Sequence, residues 1–281
     1  MRAGMSLLLA TVLLGQMPQN PSPMVEHTRK HERLTEQTVR GERHQLALGV
    51  LYLAPRLKQK SMPLLIHFHG PRWIAEMAGG QLGGAAVISV DSGAGSGVYA
   101  EPFRDTGFFA ELLKEAEQKA GTRFAPVTLS SWSAGYGAVR EILRRPEHYA
   151  RVDRYVAIDS IHAGYVSGKP GPEESELVAS DLDVFLQFAK DAVAGRKQMI
   201  ITHSEIFPGT FASTTEVADA LLRAVGLTRK PVVKWGPLGM QLLSETSSGR
   251  LTVLGYAGNS APDHVDQLHA LPEIVRLLSS R

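Results

Sequence analysis

The chain has 281 residues, 43% of them hydrophobic and 21% charged, with a formal charge of +2 and no cysteine. That length and balance suit one sizeable α/β domain and leave little room for two. A near-neutral chain with no basic stripe interleaved with aromatics is not built for nucleic acid, and the missing thiols exclude disulfides, thiolate zinc sites and cysteine nucleophiles.

In chain order, Arg2 precedes an apolar run, Ser6 to Gly15, that is too short to span a bilayer comfortably. Residues 1–17 are therefore read as a signal peptide and the protein as exported, periplasmic or secreted. Gln16-Met17-Pro18 offers no small-x-small cleavage pattern, so an uncleaved N-terminal anchor is the alternative; no other stable membrane span is expected. Residues 18–43, opening with a proline-rich stretch, read as a linker and N-terminal surface segment, and residues 44–281 as the domain.

Within the domain, short apolar runs at 45–53, 63–68, 85–90, 127–129, 154–158, 198–202 and 251–256 read as strands, most of them of the type buried on both faces. Helical spacing predicts helices over 108–120, 136–143, 182–194 and 215–225, and Pro272 opens a last one through Leu278. Ser213 to Glu216 supplies an N-cap and its acid. Strands alternating with helices mean a mostly parallel central sheet covered by helices on both faces. Residues 226–250, punctuated by Lys230-Pro231, Gly236-Pro237 and Gly249, break the alternation and read as a small inserted flap or hairpin.

Doubly wound sheets bind ligands beyond the carboxyl ends of their strands, so polar residues directly after strand runs carry the functional signal. One such end is Ser131-Trp132-Ser133-Ala134-Gly135, between an apolar run and a helical one. A serine lifted above a sheet on a sharp strand-to-helix turn needs small neighbours two residues either side, and Ser131 and Gly135 are small. Other strand ends present His67-Phe68-His69-Gly70, then Asp91 with a glycine-rich run to Tyr99, then Asp159, then His203-Ser204-Glu205, and last a loop carrying Asp263-His264.

Together the elbow at Ser133, the His69-Gly70 pair and His264 after the final strand resemble the α/β-hydrolase family, over roughly residues 44–281. The resemblance implies a serine esterase or lipase-like hydrolase, with Ser133 as nucleophile, His264 as base and a small-molecule ester as substrate, without a cofactor. The acid is Asp159, or alternatively Glu205, which stands where most relatives place it. The oxyanion hole would draw on the N–H groups of Ala134 and Gly70, since Pro71, after the His-Gly pair, has none.

His69, Trp132 and Tyr99 are candidates to line the substrate pocket, with Phe103 beside Tyr99 and the glycine-rich segment as a mobile border. Two other readings stand beside this one: a catalytically silent fold used for binding, and a metal-dependent hydrolase built on His67, His69 and His203 or Asp263. Oligomeric state and acyl or alcohol preference are not encoded in any recognisable pattern.

Overall fold

The computed structural model describes residues 30–55, 61–171 and 174–278. The expected signal peptide, 1–17, and the first part of the linker lie outside the described residues.

The alternating apolar runs build one sheet of ten strands. In chain order they are β1 (Glu42–Gln45), β2 (Val50–Leu53), β3 (Ser61–Phe68), β4 (Ala86–Val90), β5 (Arg123–Ser133), β6 (Arg154–Ser160), β7 (Gln198–His203), β8 (Pro231–Trp235), β9 (Gln241–Ser248) and β10 (Leu251–Tyr256). Across the sheet the order is β1-β2-β4-β3-β5-β6-β7-β10-β9-β8. The six strands from β4 to β10 in that order run parallel, and antiparallel pairs close both edges.

Because strand side chains alternate, each central strand feeds two cores. Leu64, Ile66 and Phe68 of β3, with Tyr155 and Ala157 of β6, pack into one. Leu65, Val156 and Ile158 pack into the other. The first core is covered by α3 (Phe108–Ala120), α4 (Tyr136–Leu143), α6 (Asp183–Val193) and α7 (Thr214–Ala224). The second is covered by α1 (Arg72–Gln81), α8 (Ala261–His269) and α9 (Leu271–Ile274). Two short helices, α2 (Ser96–Ala100) and α5 (Pro146–Arg151), complete the set in the described residues.

The sheet class and most elements follow the sequence pattern, and the departures have local causes. The expected strand 45–53 is two strands, because Gly49 takes φ +78° and folds the chain into a hairpin. Helix α1 escapes a reading by apolar spacing because it contains Gly79 and Gly80; Gly79 is required, since a Cβ there would meet the Val87 side chain at 2.3 Å. Residues 226–250 contain the β8–β9 hairpin, which extends the sheet edge rather than standing off it. The last expected helix, 272–278, divides into α9 and a tighter 3₁₀ turn, Val275–Leu278.

Two local interactions fix the helices that carry functional groups. Ser213 caps α7 in a reciprocal box with Glu216, whose carboxylate accepts the Ser213 N–H at 2.8 Å. Asp266 of α8 is buried and held from outside the sheet, by Arg33 Nε at 3.0 Å and His31 Nδ1 at 2.6 Å, so the N-terminal segment straps this helix. Replacing Ser213 with alanine should cost about 1 kcal/mol of stability, measured as a lower urea midpoint with an unchanged m-value.

Candidate active site

The carboxyl end of β5 turns sharply into α4, and the turn is strained. Ser133 has φ +47°, in the left-handed region that side chains avoid; holding a non-glycine residue there costs of order 1–3 kcal/mol. The Gly135 N–H closes the turn on the Trp132 carbonyl at 2.9 Å. Gly135 itself has an ordinary φ of −59°. It is needed for space, because a Cβ would come within 2.2 Å of the Phe68 carbonyl oxygen at the end of β3.

Ser131, two residues before Ser133, is fully buried on the α4 side of the sheet, where a hydroxyl needs partners. It has two: Tyr155 Oη at 2.8 Å and Ser160 Oγ at 2.9 Å. Ser160 Oγ donates to the Ser133 carbonyl at 2.8 Å. Each hydroxyl carries a single proton, so the direction of the chain is set: Tyr155 donates to Ser131, Ser131 to Ser160, and Ser160 to the backbone of the elbow. Burial pushes the Tyr155 hydroxyl well above its ordinary pKa, which keeps its proton in place.

Asp159, the last residue but one of β6, has φ +39° and is 1% exposed. Its Oδ1 accepts the Ser204 N–H at 2.9 Å and the Thr214 hydroxyl at 2.6 Å. Its Oδ2 accepts the Ser204 hydroxyl at 2.8 Å and lies 2.7 Å from His264 Nδ1. Burial pushes the carboxyl pKa up, but the bonds from His264, Thr214 and Ser204 together outweigh it and leave the group below its ordinary value. Since a carboxylate only accepts, His264 Nδ1 carries a proton, and in the neutral ring the lone pair is then on Nε2.

His264 lies in the first turn of α8, not in a loop as the sequence pattern suggested. Asp263 fixes that turn by accepting both the N–H and the hydroxyl of Ser260. Trp132 Nε1 donates to the His264 carbonyl at 3.0 Å, and the indole stacks on the His264 ring at 4.6 Å. The same indole also stacks on His69, with ring centroids 4.8 Å apart. Ser133, Asp159 and His264 open on one cavity of about 290 Å³, walled by Ile206, Pro208 and Phe211. A larger depression of about 440 Å³ beside α6 and α7 has no histidine in its lining.

The structure thus brings Ser133, Asp159 and His264 to one place, and sets Glu205 elsewhere. Glu205 is exposed and bonds the Gly258 N–H at 3.3 Å, tying two loops together. The three expected pocket residues are not in the cavity wall. His69 and Trp132 form the stack behind His264. Tyr99 is 1% exposed, and its hydroxyl is the post around which the glycine-rich segment folds, within 3.1 Å of Ser92 N, Asp91 Oδ1, Gly93 O and His69 Nδ1. Phe103 is a core residue.

The metal constellation does not assemble. His67 bonds Ser130 and His203 bonds Thr215, and among the described residues neither belongs to a group of metal-compatible spacing; burial pushes both imidazoles down to about 4. Among the described residues the group with metal-compatible spacing is instead His31, Asp263 and Asp266, and Arg33 already occupies Asp266. At the His-Gly turn, the His69 N–H is committed to Val90 O at 2.8 Å. Gly70 takes φ +118° against the Leu268 methyls of α8, and Pro71 caps α1.

Sequence reasoning missed the partners of the site, Ser160, Ser204 and Thr214. Ser204 stands just after β7, Ser160 closes β6 and Thr214 opens α7; nothing in the sequence says that Ser204 and Thr214 converge on Asp159.

This arrangement, a strained serine at a strand-to-helix turn of a mostly parallel sheet with Asp159 and His264 following in chain order, is the one that the sequence resemblance implied. The fold is that of the α/β-hydrolases. No family model matches the chain, and no curated protein matches it. Similar solved structures include carboxyl esterase 2 from the mycorrhizal fungus Tuber melanosporum, at 14% identity over 86% of this chain and 88% of that one, with a TM-score of 0.49. An ester hydrolase from the metagenome of Lake Arreo has 11% identity over 89% and 87%, with a TM-score of 0.45. A soluble variant of monoglyceride lipase from Saccharomyces cerevisiae has 9% identity over 86% and 96%, with a TM-score of 0.39. At such distances the chemistry must be argued from the side chains themselves.

Two measurements test this geometry. Ser131→Gly deletes the middle hydroxyl of the chain and strands the buried Tyr155 donor, so it should lower unfolding free energy by about 1–3 kcal/mol, although glycine suits an elbow sterically. Asp159 has a depressed folded-state pKa, so its contribution is complete above the ordinary carboxyl value of 3.8 and lost as pH falls below it. The stability gap between the wild type and Asp159→Asn, read by urea titration, should therefore be widest near pH 6 and narrow toward pH 3.

Proposed function

We propose that the protein is an exported serine hydrolase that cleaves carboxylic esters through an acyl-enzyme. The observation that carries the reading is the 2.7 Å contact of His264 with buried Asp159, opening on the same cavity as Ser133. A hydroxyl is a poor nucleophile until a base takes its proton in the transition state. His264 Nε2 is that base: Ser133 Oγ attacks the ester carbonyl carbon as its proton passes to the imidazole. The alcohol then leaves with the same proton. Water, deprotonated by His264 in turn, attacks the acyl-enzyme and releases the acid, and the proton returns to Ser133.

Asp159 fixes the tautomer and stabilises the imidazolium. The amides of Ala134, after the nucleophile, and Gly70, in the His-Gly turn, are assigned to the developing oxyanion. Pro71 motivates a second reading, a silent fold that binds without turnover, because the position after the His-Gly pair has no N–H to offer. Among the described residues no helix is long and apolar enough to cross a membrane. Delivery outside the cytoplasm rests on residues 1–17, and N-terminal sequencing of the protein from fractionated cells checks it.

A fluorophosphonate probe separates the two readings. The expected result is one covalent adduct on Ser133, absent from Ser133→Ala; no adduct on the wild type, or an adduct that persists in the variant, overturns the hydrolase. With an activated ester, His264→Ala should lower kcat/KM by about 10⁴–10⁶-fold and Asp159→Asn by about 10⁴-fold. Glu205→Gln should stay within a few-fold of the wild type, and its inactivation would reassign the acid.

A further inference from the structure

His162 is the titratable group of this cavity that the proposed reaction does not use. It stands beside Ser133 and His264 in the cavity wall, among Ile206, Pro208 and Phe211. The backbone goes out of its way to place it. Ile161, just before it, takes φ +76°, a left-handed conformation that is a genuine outlier for a β-branched residue. Strain of this kind persists where surrounding structure over-determines it, and it clusters at ligand clamps and active sites. Ile161 is itself fully buried, anchored in the first core.

The ring is then locked. His162 Nδ1 lies 2.9 Å from the Ala212 carbonyl, which only accepts, so Nδ1 bears the proton. Edge-on contacts with Phe211 at 4.8 Å and Tyr136 at 5.6 Å hold the ring plane. Burial lowers its pKa, so the ring is neutral at pH 7. What remains is Nε2, a lone-pair acceptor. It has no protein partner among the described residues, and it is not one of the ring nitrogens sealed inside the protein, as those of His67 and His203 are.

An acceptor on a ring held in the wall of a small cavity recognises a hydrogen-bond donor. We infer that His162 Nε2 selects esters whose group seated in this cavity carries a hydroxyl close to the scissile bond. This rests on the hydrolase reading for its chemistry, though not for its binding. A site built to bond a hydroxyl discriminates strongly against the analogue lacking it, because its own polar atom is then desolvated without a partner. The cavity, about 290 Å³, falls at the lower limit of ordinary ligand sites, so the selected group is short.

The hydroxyl can belong to the acid or to the alcohol, and matched pairs separate them. One arm compares p-nitrophenyl 3-hydroxybutyrate with p-nitrophenyl butyrate; the other compares 3-hydroxypropyl butyrate with butyl butyrate. The wild type should prefer the hydroxylated member of one pair by at least about tenfold in kcat/KM. His162→Phe, which keeps the ring contacts and deletes the acceptor, should bring that ratio near one. His162→Gln, with an amide N–H for Ala212 and a carbonyl for the ligand, should restore part of it, which separates loss of the acceptor from loss of packing.

The same esters titrated into Ser133→Ala, followed by calorimetry, test the inference without turnover. A hydroxyl preference in binding there, with no fluorophosphonate adduct on the wild type, overturns the hydrolase and sustains His162. Turnover with no preference in either pair, or a preference unchanged in His162→Phe, overturns the role of His162 and leaves the hydrolase standing.

Discussion

A carboxylate removed from water is tolerated only while its oxygens are engaged, and Asp159 meets that demand with groups drawn from across the domain. Its own strand is β6; Ser204 comes from just beyond β7, Thr214 from the first turn of α7 and His264 from the first turn of α8. Its own N–H is tied to Thr202 of β7 at 3.0 Å. Leaving such a charge unpaired costs several kcal/mol, so the partners are locked by the folding problem before any catalytic one is posed. The histidine inherits its tautomer and orientation from that requirement.

The elbow answers a second constraint. The site needs Ser133 in a conformation that its side chain disfavours, with β3 pressed so closely on the turn that Gly135 has no room for a Cβ. The hydroxyl chain from Tyr155 through Ser131 and Ser160 reaches the carbonyl of Ser133 from below. A serine in the place where the common pattern has glycine is thus explained by its partners on neighbouring β6, and it makes the motif look weaker in sequence than it is in space.

Legibility in the sequence followed the range of the interactions. Strands β3, β4, β6, β7 and β10 announced themselves because both faces are buried, and α3 and α4 because an apolar stripe repeats with the helical period. Helix α1 was hidden by its glycines, whose reason is the distant Val87. The positions of Ser133, Asp159 and His264 were readable because the first two stand at the ends of apolar strand runs and the third in the connection after the last one, and strand ends converge at one edge of a parallel sheet. The cavity wall was not readable. Ile206, Pro208 and Phe211 come from the connection between β7 and α7, and Tyr99, which looked like a wall residue, serves as a core post for its own loop. Which aromatic faces a cavity depends on contacts between segments far apart in the chain, and no local periodicity records them.

Trp132 is the letter between the two serines of the elbow, the position that such patterns leave open to any residue. Here its indole stacks on two imidazoles, those of His69 and His264, and reaches the backbone of α8 with its N–H. When the proposed reaction makes His264 cationic, the π-face beneath it becomes an electrostatic partner, since aromatic faces attract a positive charge and tryptophan does so most strongly. In the proposed reaction the indole would lower the energy of the ion pair formed part-way through turnover, which would make the unspecified letter of the motif a part of the charge balance.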